Sequence, residues 1–190
     1  MIATKPHQPY ALVDGQTTIE FDLPCLKCGY NLRTLAITAR CPECGFPALR
    51  AFMVHQVDPG RQLPLQAALP HPLSLQVLAR LLQRNADAVT FVLTAKDFGS
   101  RTGRGGGGLR QHPPGIDARA LCRSIADYAL YRYGNRADAL ATLRFWRIER
   151  SEDVGQIVAA LVEGGLLTPS QDDSPQDFAG VFTLENLFPD

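Results

Sequence analysis

The chain has 190 residues, 45% of them hydrophobic and 20% charged, with cations and acids in balance. That is enough apolar material for one ordinary domain or a small module plus a larger one, and it excludes an intrinsically disordered composition. No apolar run approaches the roughly 20 residues that span a bilayer, and the first residues lack the basic-then-apolar order of a secretory signal, so a cytoplasmic location is expected.

The zero net charge hides a segregation. Six cations stand against five acids in residues 1–66, thirteen against six in 67–150, and none against eight in 151–190. A basic middle beside an acidic end suits either a nucleic-acid face with an acidic regulator or two faces that attract each other within one fold. The second is the reading preferred here.

In residues 1–22, Asp14-Gly15 between β-prone runs predicts a hairpin in an N-terminal extension. Residues 23–50 form a module around Cys25, Cys28, Cys41 and Cys44 in a C-x2-C-x12-C-x2-C pattern. Two residues between thiolates let one tight turn bring both sulfurs to the same ion. Gly29 and Gly45 can then take the positive φ on which such a turn closes, and Pro42 stiffens the second turn. In a reducing compartment this spacing points to metal ligation ahead of disulfides. A thioredoxin-like redox pair fits badly, since it needs one C-x-x-C opening a helix. The four cysteines predict one structural Zn2+ in a closed tetrathiolate shell; iron has the same ligand count. With few apolar residues in the segment, the metal is expected to serve as its core, contributing on the order of 10–16 kcal/mol.

Residues 51–72, rich in proline, read as a linker, and residues 73–190 as a mostly helical domain. Leu75, Leu78, Ala79 and Leu82, continued by Ala86, Val89 and Leu93, predict two helices or one bent helix. A Gly-rich loop is placed at 99–115. Its Arg101, Arg104 and Arg110 could grip a phosphate backbone, though a flexible connection is the simpler reading, and a P-loop lacks its lysine. Asp117 should cap the next helix, with Ala118, Cys122, Ile125 and Ala129 on its inner face and Gly134 ending it. A shorter helix carries Leu140, Leu143 and Trp146. Core packing is the first explanation for Phe145, Tyr128, Tyr131 and Tyr133, and Cys122 reads as a small hydrophobe. Ser151 before Glu152 and Asp153 predicts a capped helix with Val154, Ile157, Val158, Leu161 and Val162 inward. Val181–Leu184 is expected to pair with Leu166 and Leu167 as a small C-terminal β element. His7, His55, His71 and His112 show no ligand spacing, and no internal repeat is visible.

Two resemblances follow from these residues. "CLKCGYNLRTLAITARCPECGFP" resembles the zinc-ribbon segments of bacterial proteins, and the likeness implies Cys25, Cys28, Cys41 and Cys44 as ligands. "SEDVGQIVAALVEGGLL" and "DDSPQDFAGVF", within residues 73–190, resemble the end of an uncharacterised bacterial family with a placeholder name, the Minf type. That family has a D-F-G-x-I-V helix, where Val154 replaces the aromatic here, and it implies no activity. The last helix with "GGLLT" also resembles the close of a winged helix. Its face carries Gln156 but no cation, so it does not suit reading DNA.

The fold expected is therefore α+β: a zinc ribbon followed by a mostly α-helical domain. The function expected is a non-enzymatic adaptor or regulator, binding a protein partner or itself, with no membrane and no small-molecule substrate. Arg119, Arg123, Arg132, Arg136 and Arg144 would meet an acidic partner or the acids around Asp172, Asp173 and Asp177. The alternative is a nucleic-acid-binding regulator of transcription or translation using the ribbon and the basic middle.

Overall fold

The computed structural model describes residues 10–13, 16–60, 72–102, 117–168 and 174–188. The chain divides into two compact units, Met1–Ser74 and Leu75–Asp190.

The first unit opens with an antiparallel pair, β1 (Tyr10–Val13) and β2 (Gln16–Ile19), in a register that sets Val13 opposite Gln16. Asp14-Gly15 lies outside the described residues. Two cysteine-bearing turns follow, and then a helix, α1 (Ala48–Val57). This corrects the reading of residues 51–57 as linker: Ala51, Phe52, Met53 and Val54 are buried. Residues 61–71 lie outside the described part.

The helix also corrects the expectation that a metal alone would serve as core. Ile19, Leu23, Leu32, Ile37, Phe52 and Met53 are each no more than 1% exposed. The Phe21 ring lies 6.1 Å from Phe52 and 4.6 Å from His55. At about 1.5–3 kcal/mol for a fully buried large apolar side chain, this cluster is a substantial apolar contribution to the unit. A four-cysteine stretch alone looks deficient because half of its core is drawn from β2 and α1, outside the cysteine spacing.

The second unit is helical. It contains α2 (Pro72–Leu81, its first turn at the unit boundary), α3 (Ala86–Thr102), α4 (Ala118–Tyr133), α5 (Arg136–Phe145) and α6 (Ser151–Glu163), followed by a 3-10 turn at Pro175–Phe178. Among the described residues this unit has no strand, and no helix is long and apolar enough to cross a membrane.

The apolar stripe across residues 75–93 is broken into two helices. Gln83 takes a left-handed φ of 51°, Arg84 N–H donates back to Ala79, and the Asn85 side chain accepts from Asp87 N–H at 2.8 Å to start α3. α3 then continues through Thr102 with Gly99 buried inside it, so the Gly-rich loop does not begin at 99. Arg104 and Arg110 lie outside the described residues. The Asp117 side chain caps α4 by accepting from Ala120 N–H at 3.0 Å, and Gly134 ends it at φ 76°, both as the sequence predicts.

α3 packs on α4, α4 on α5, and α6 under the 3-10 turn. Phe91 holds the layers together, 5.0 Å from Tyr128 and 5.2 Å from Trp146. Tyr131 and Phe145 correct the core assignment of the aromatics, being 73% and 75% exposed. At Gly155 the backbone of α6 approaches the 3-10 turn closely: a Cβ there would stand 3.0 Å from Phe178 Cβ.

The C-terminal segment differs from expectation in its partner. Thr183 bridges Arg150, flanked by Ser151 N–H to the Phe182 carbonyl at 3.1 Å and Leu184 N–H to the Glu149 carbonyl at 2.9 Å. Leu166 and Leu167 instead turn back on Leu161. Ser151 is likewise not the cap of α6. Asp153 takes that role, accepting from the N–H groups of Glu149 and Arg150 at 2.9 Å each. The Ser151 hydroxyl is fully buried and accepts from Val181 and Phe182 N–H at 3.0 and 3.2 Å, fastening the segment to the start of the helix.

Candidate metal centre

The two cysteine turns repeat each other at an offset of sixteen residues, in backbone bonding and in the Cys-x-x-Cys-Gly-aromatic order of their side chains. Cys25 N–H donates to Tyr30 at 2.7 Å and Gly29 N–H returns to Cys25 at 2.9 Å; Cys41 and Phe46, then Gly45 and Cys41, do the same at 2.8 and 2.9 Å. Bridges Pro24–Asn31 and Arg40–Pro47 close the base of each turn. Gly29 and Gly45 adopt φ of 78° and 71°, the left-handed values that only glycine takes without cost.

The consequence is convergence of four sulfurs. The Sγ atoms of Cys25, Cys28, Cys41 and Cys44 all lie within 4.8 Å of one another. Two close separations join the two turns: 3.5 Å from Cys28 to Cys41 and 3.6 Å from Cys25 to Cys44. A tetrahedron with metal–sulfur arms of about 2.3 Å has edges of about 3.8 Å, so the quartet is sized for one thiophilic ion with small adjustments. A disulfide requires sulfurs at about 2.05 Å, and all four cysteines are free thiols.

Electrostatics point the same way. Burial opposes ionisation of the Cys25 thiol, but the N–H groups of Cys28 and Lys27 and the neighbouring thiols of Cys44 and Cys28 hydrogen-bond its sulfur and lower it to about 7. At Cys28 the Tyr30 N–H favours the thiolate. Burial and the thiol's own bonds toward Cys44, Cys41 and Cys25 outweigh that and raise it to about 12. Burial raises Cys44 also, against the pull of the Phe46 N–H. Adjacent thiolates repel one another. A divalent cation at the centre of the quartet would offset that repulsion.

The pair Cys25 and Cys41 is buried, Cys44 is half-buried and Cys28 exposed, so the cluster lies at the surface of its unit with one side covered. Asn31 organises the first turn: its side-chain carbonyl accepts from Leu23 and Arg33 N–H at 3.2 and 3.1 Å, and its amide donates to Asp22 at 2.9 Å. Sequence reading missed it. The available signal was an Asn just past the C-x-x-C-G turn, where a short amide side chain can bond the backbone locally.

The remaining candidates lie in the second unit. Arg119, Arg123, Arg132, Arg136 and Arg144 are all exposed. Arg144 is close enough to Glu185 to help lower its carboxyl, after the stronger effects of Glu185's own N–H and Thr183. Asp172 and Asp173 lie outside the described residues, and the Asp177 carboxylate accepts from Ser174 N–H at 2.9 Å. Gln156 on α6 accepts from Arg84 at 3.0 Å. Cys122 is buried, and burial pushes its thiol up to about 12, as befits a packing residue. No family model matches the chain, and no curated protein or solved structure matches it either.

Proposed function

We infer that residues 23–50 are a zinc ribbon in which Cys25, Cys28, Cys41 and Cys44 hold one structural Zn2+, and that the chain is a non-enzymatic cytoplasmic adaptor. The convergence of four sulfurs within 4.8 Å carries the metal part of this reading. When bound, the ion supplies cross-linking and charge neutralisation. A tetrathiolate shell offers no open coordination position, so the ion is structural and not hydrolytic. Reduced thiols on a surface cluster suit a reducing compartment.

The second unit supports the adaptor part. It presents Tyr131 and Phe145 to solvent together with a set of exposed arginines, residue types enriched at protein interfaces. The likeness of residues 73–190 to the Minf-type family supports a common domain without adding an activity. The exposed arginines also favour a second reading, a nucleic-acid-binding regulator.

Native mass spectrometry of chain purified without oxygen, with metal analysis, tests the first part: one zinc per chain is expected. An apo mass with residues 16–57 still protected from hydrogen exchange refutes it, and stoichiometric iron would replace zinc in the same site. Fluorescence anisotropy with labelled DNA and RNA separates the two functional readings. The adaptor reading expects no binding near physiological salt, whereas binding that falls steeply as salt rises overturns it in favour of the regulator.

A further inference from the structure

A groove of about 490 Å³ runs along α4 in the second unit. One wall is a single helical face, Arg119, Cys122, Arg123, Ala126 and Asp127, at spacings of three, four, seven and eight residues. The other wall is the C-terminal segment that Ser151 fastens, through Gly180, Phe182, Asn186 and Leu187. The floor is apolar and buried, with Cys122, Phe182 and Leu187 no more than 6% exposed. The rim is different: Arg119 and Arg123 are exposed, one turn apart, and neither guanidinium forms an ion pair or hydrogen bond with a described residue.

We propose that this groove docks a short extended segment of a partner protein in which an acidic residue stands beside an apolar one. This rests on the reading of the chain as a protein-binding adaptor and names the surface and the chemistry of the partner. Arg119 and Arg123 stand one turn apart on one face, so both guanidinium groups can reach the same carboxylate, and Arg binds carboxylates with paired, directional hydrogen bonds. The apolar floor directly below takes the neighbouring side chain. From Arg119 to Asp127 the helix rises about 12 Å, the length of three to four extended residues. The polarity of the groove also sets direction. The two free guanidinium groups stand at one end, so the acid of the segment lies at the Arg119–Arg123 end. The backbone donors of Val181 and Phe182 are already engaged by Ser151, so recognition rests on the arginine side chains and not on strand addition.

The test is panning of random dodecapeptides displayed on phage against the immobilised full chain, with counter-selection against the full-length Arg119→Glu/Arg123→Glu variant. Recovered peptides should share an Asp or Glu next to an apolar residue. A synthetic peptide of that consensus should lose at least tenfold in affinity for Arg119→Ala/Arg123→Ala and none for Arg132→Ala, an exposed arginine outside the groove. All three arginines are exposed, and an unchanged Trp146 unfolding transition checks that the variants fold. No consensus, a consensus without an acid, or equal binding to the double variant overturns the proposal. A protein partner that cross-links at Tyr131 or Phe145 and ignores Arg119→Glu/Arg123→Glu sinks the groove while keeping the adaptor reading. Acidic peptides that occupy the groove of a chain whose only macromolecular ligand is nucleic acid sink the adaptor reading and leave the peptide specificity standing.

Discussion

Replacing Arg84 by Met should destabilise the helical unit by about 2–3 kcal/mol. Its guanidinium, with a side chain only 9% exposed, donates to Asp153 at 2.7 Å and to Gln156 at 3.0 Å, and also to the Arg147 carbonyl. It thereby ties the α2–α3 turn to the start of α6 and to the left-handed turn at Arg147, φ 58°. Breaking a buried pair from one side costs about 3–5 kcal/mol, because the other charge is left desolvated. Asp153, 17% exposed, keeps its two backbone donors from Glu149 and Arg150, so the lower part of that range or slightly below it, about 2–3 kcal/mol, is expected. Trp146 is the single tryptophan of the chain and lies in this unit, so its fluorescence in a urea titration reports the unit's unfolding without interference from the cysteine module. A cycle with Asp153→Asn isolates the pair. The pH dependence adds a second check. Burial of Asp153 disfavours its charge, but Glu149 N–H, the Arg84 hydrogen bond, Arg150 N–H and the Arg84 charge outweigh it and lower its carboxyl. A depressed carboxyl contributes stability that is full above its unfolded value, about 3.9, and is lost as pH falls through the folded value. The difference between wild type and Arg84→Met should therefore be flat from neutral pH to about pH 5 and shrink below about pH 4. A difference under about 0.5 kcal/mol, the size of an exposed pair, or one that does not shrink in acid, refutes the argument.

Cys25→Ser should reduce zinc from one per chain to near none and remove hydrogen-exchange protection at the Gly29 and Gly45 N–H groups. The Trp146 transition should shift by less than about 0.5 kcal/mol, and loss of both units together would contradict their independence. Gly45→Ala has open space for its Cβ, so it isolates the cost of the 71° φ. At about 1–2 kcal/mol, that is roughly a tenfold loss in competition with a chelator for zinc, and an unchanged affinity would mean that the turn does not govern the site. Ser151→Ala should destabilise the helical unit by about 2–4 kcal/mol, since it leaves the Val181 and Phe182 N–H groups short of an acceptor in a buried setting. A urea midpoint within error of wild type would show that water replaces the hydroxyl.

Local signals were read from the chain without a structure wherever one residue acts within a few positions of itself. The left-handed glycines of the cysteine turns, the Asp117 cap, the Gly134 stop and the inward stripe Val154, Ile157, Val158 and Leu161 all depend on backbone geometry and helical period. The convergence of the four sulfurs was implied by spacing because two tight turns leave little freedom. What spacing could not reveal was the apolar core that β2 and α1 bring to those turns, since the short helix Ala48–Val57 is apolar over most of its length with no one-sided stripe to mark it, and its burial depends on its neighbours.

The amino-acid order alone marked the four cysteines as one set able to hold a metal ion, the helical character of the larger unit, and several starts and stops, because those rest on interactions of near neighbours. Only the tertiary structure decided that Ser151 is a latch, that Asp153 is the cap held by Arg84, and that Tyr131 and Phe145 face solvent. It also decided that the α4 arginines overlook an apolar groove. Each of these depends on a partner tens of residues away, and in a chain the identity of a residue constrains its distant neighbours only through the packing they share.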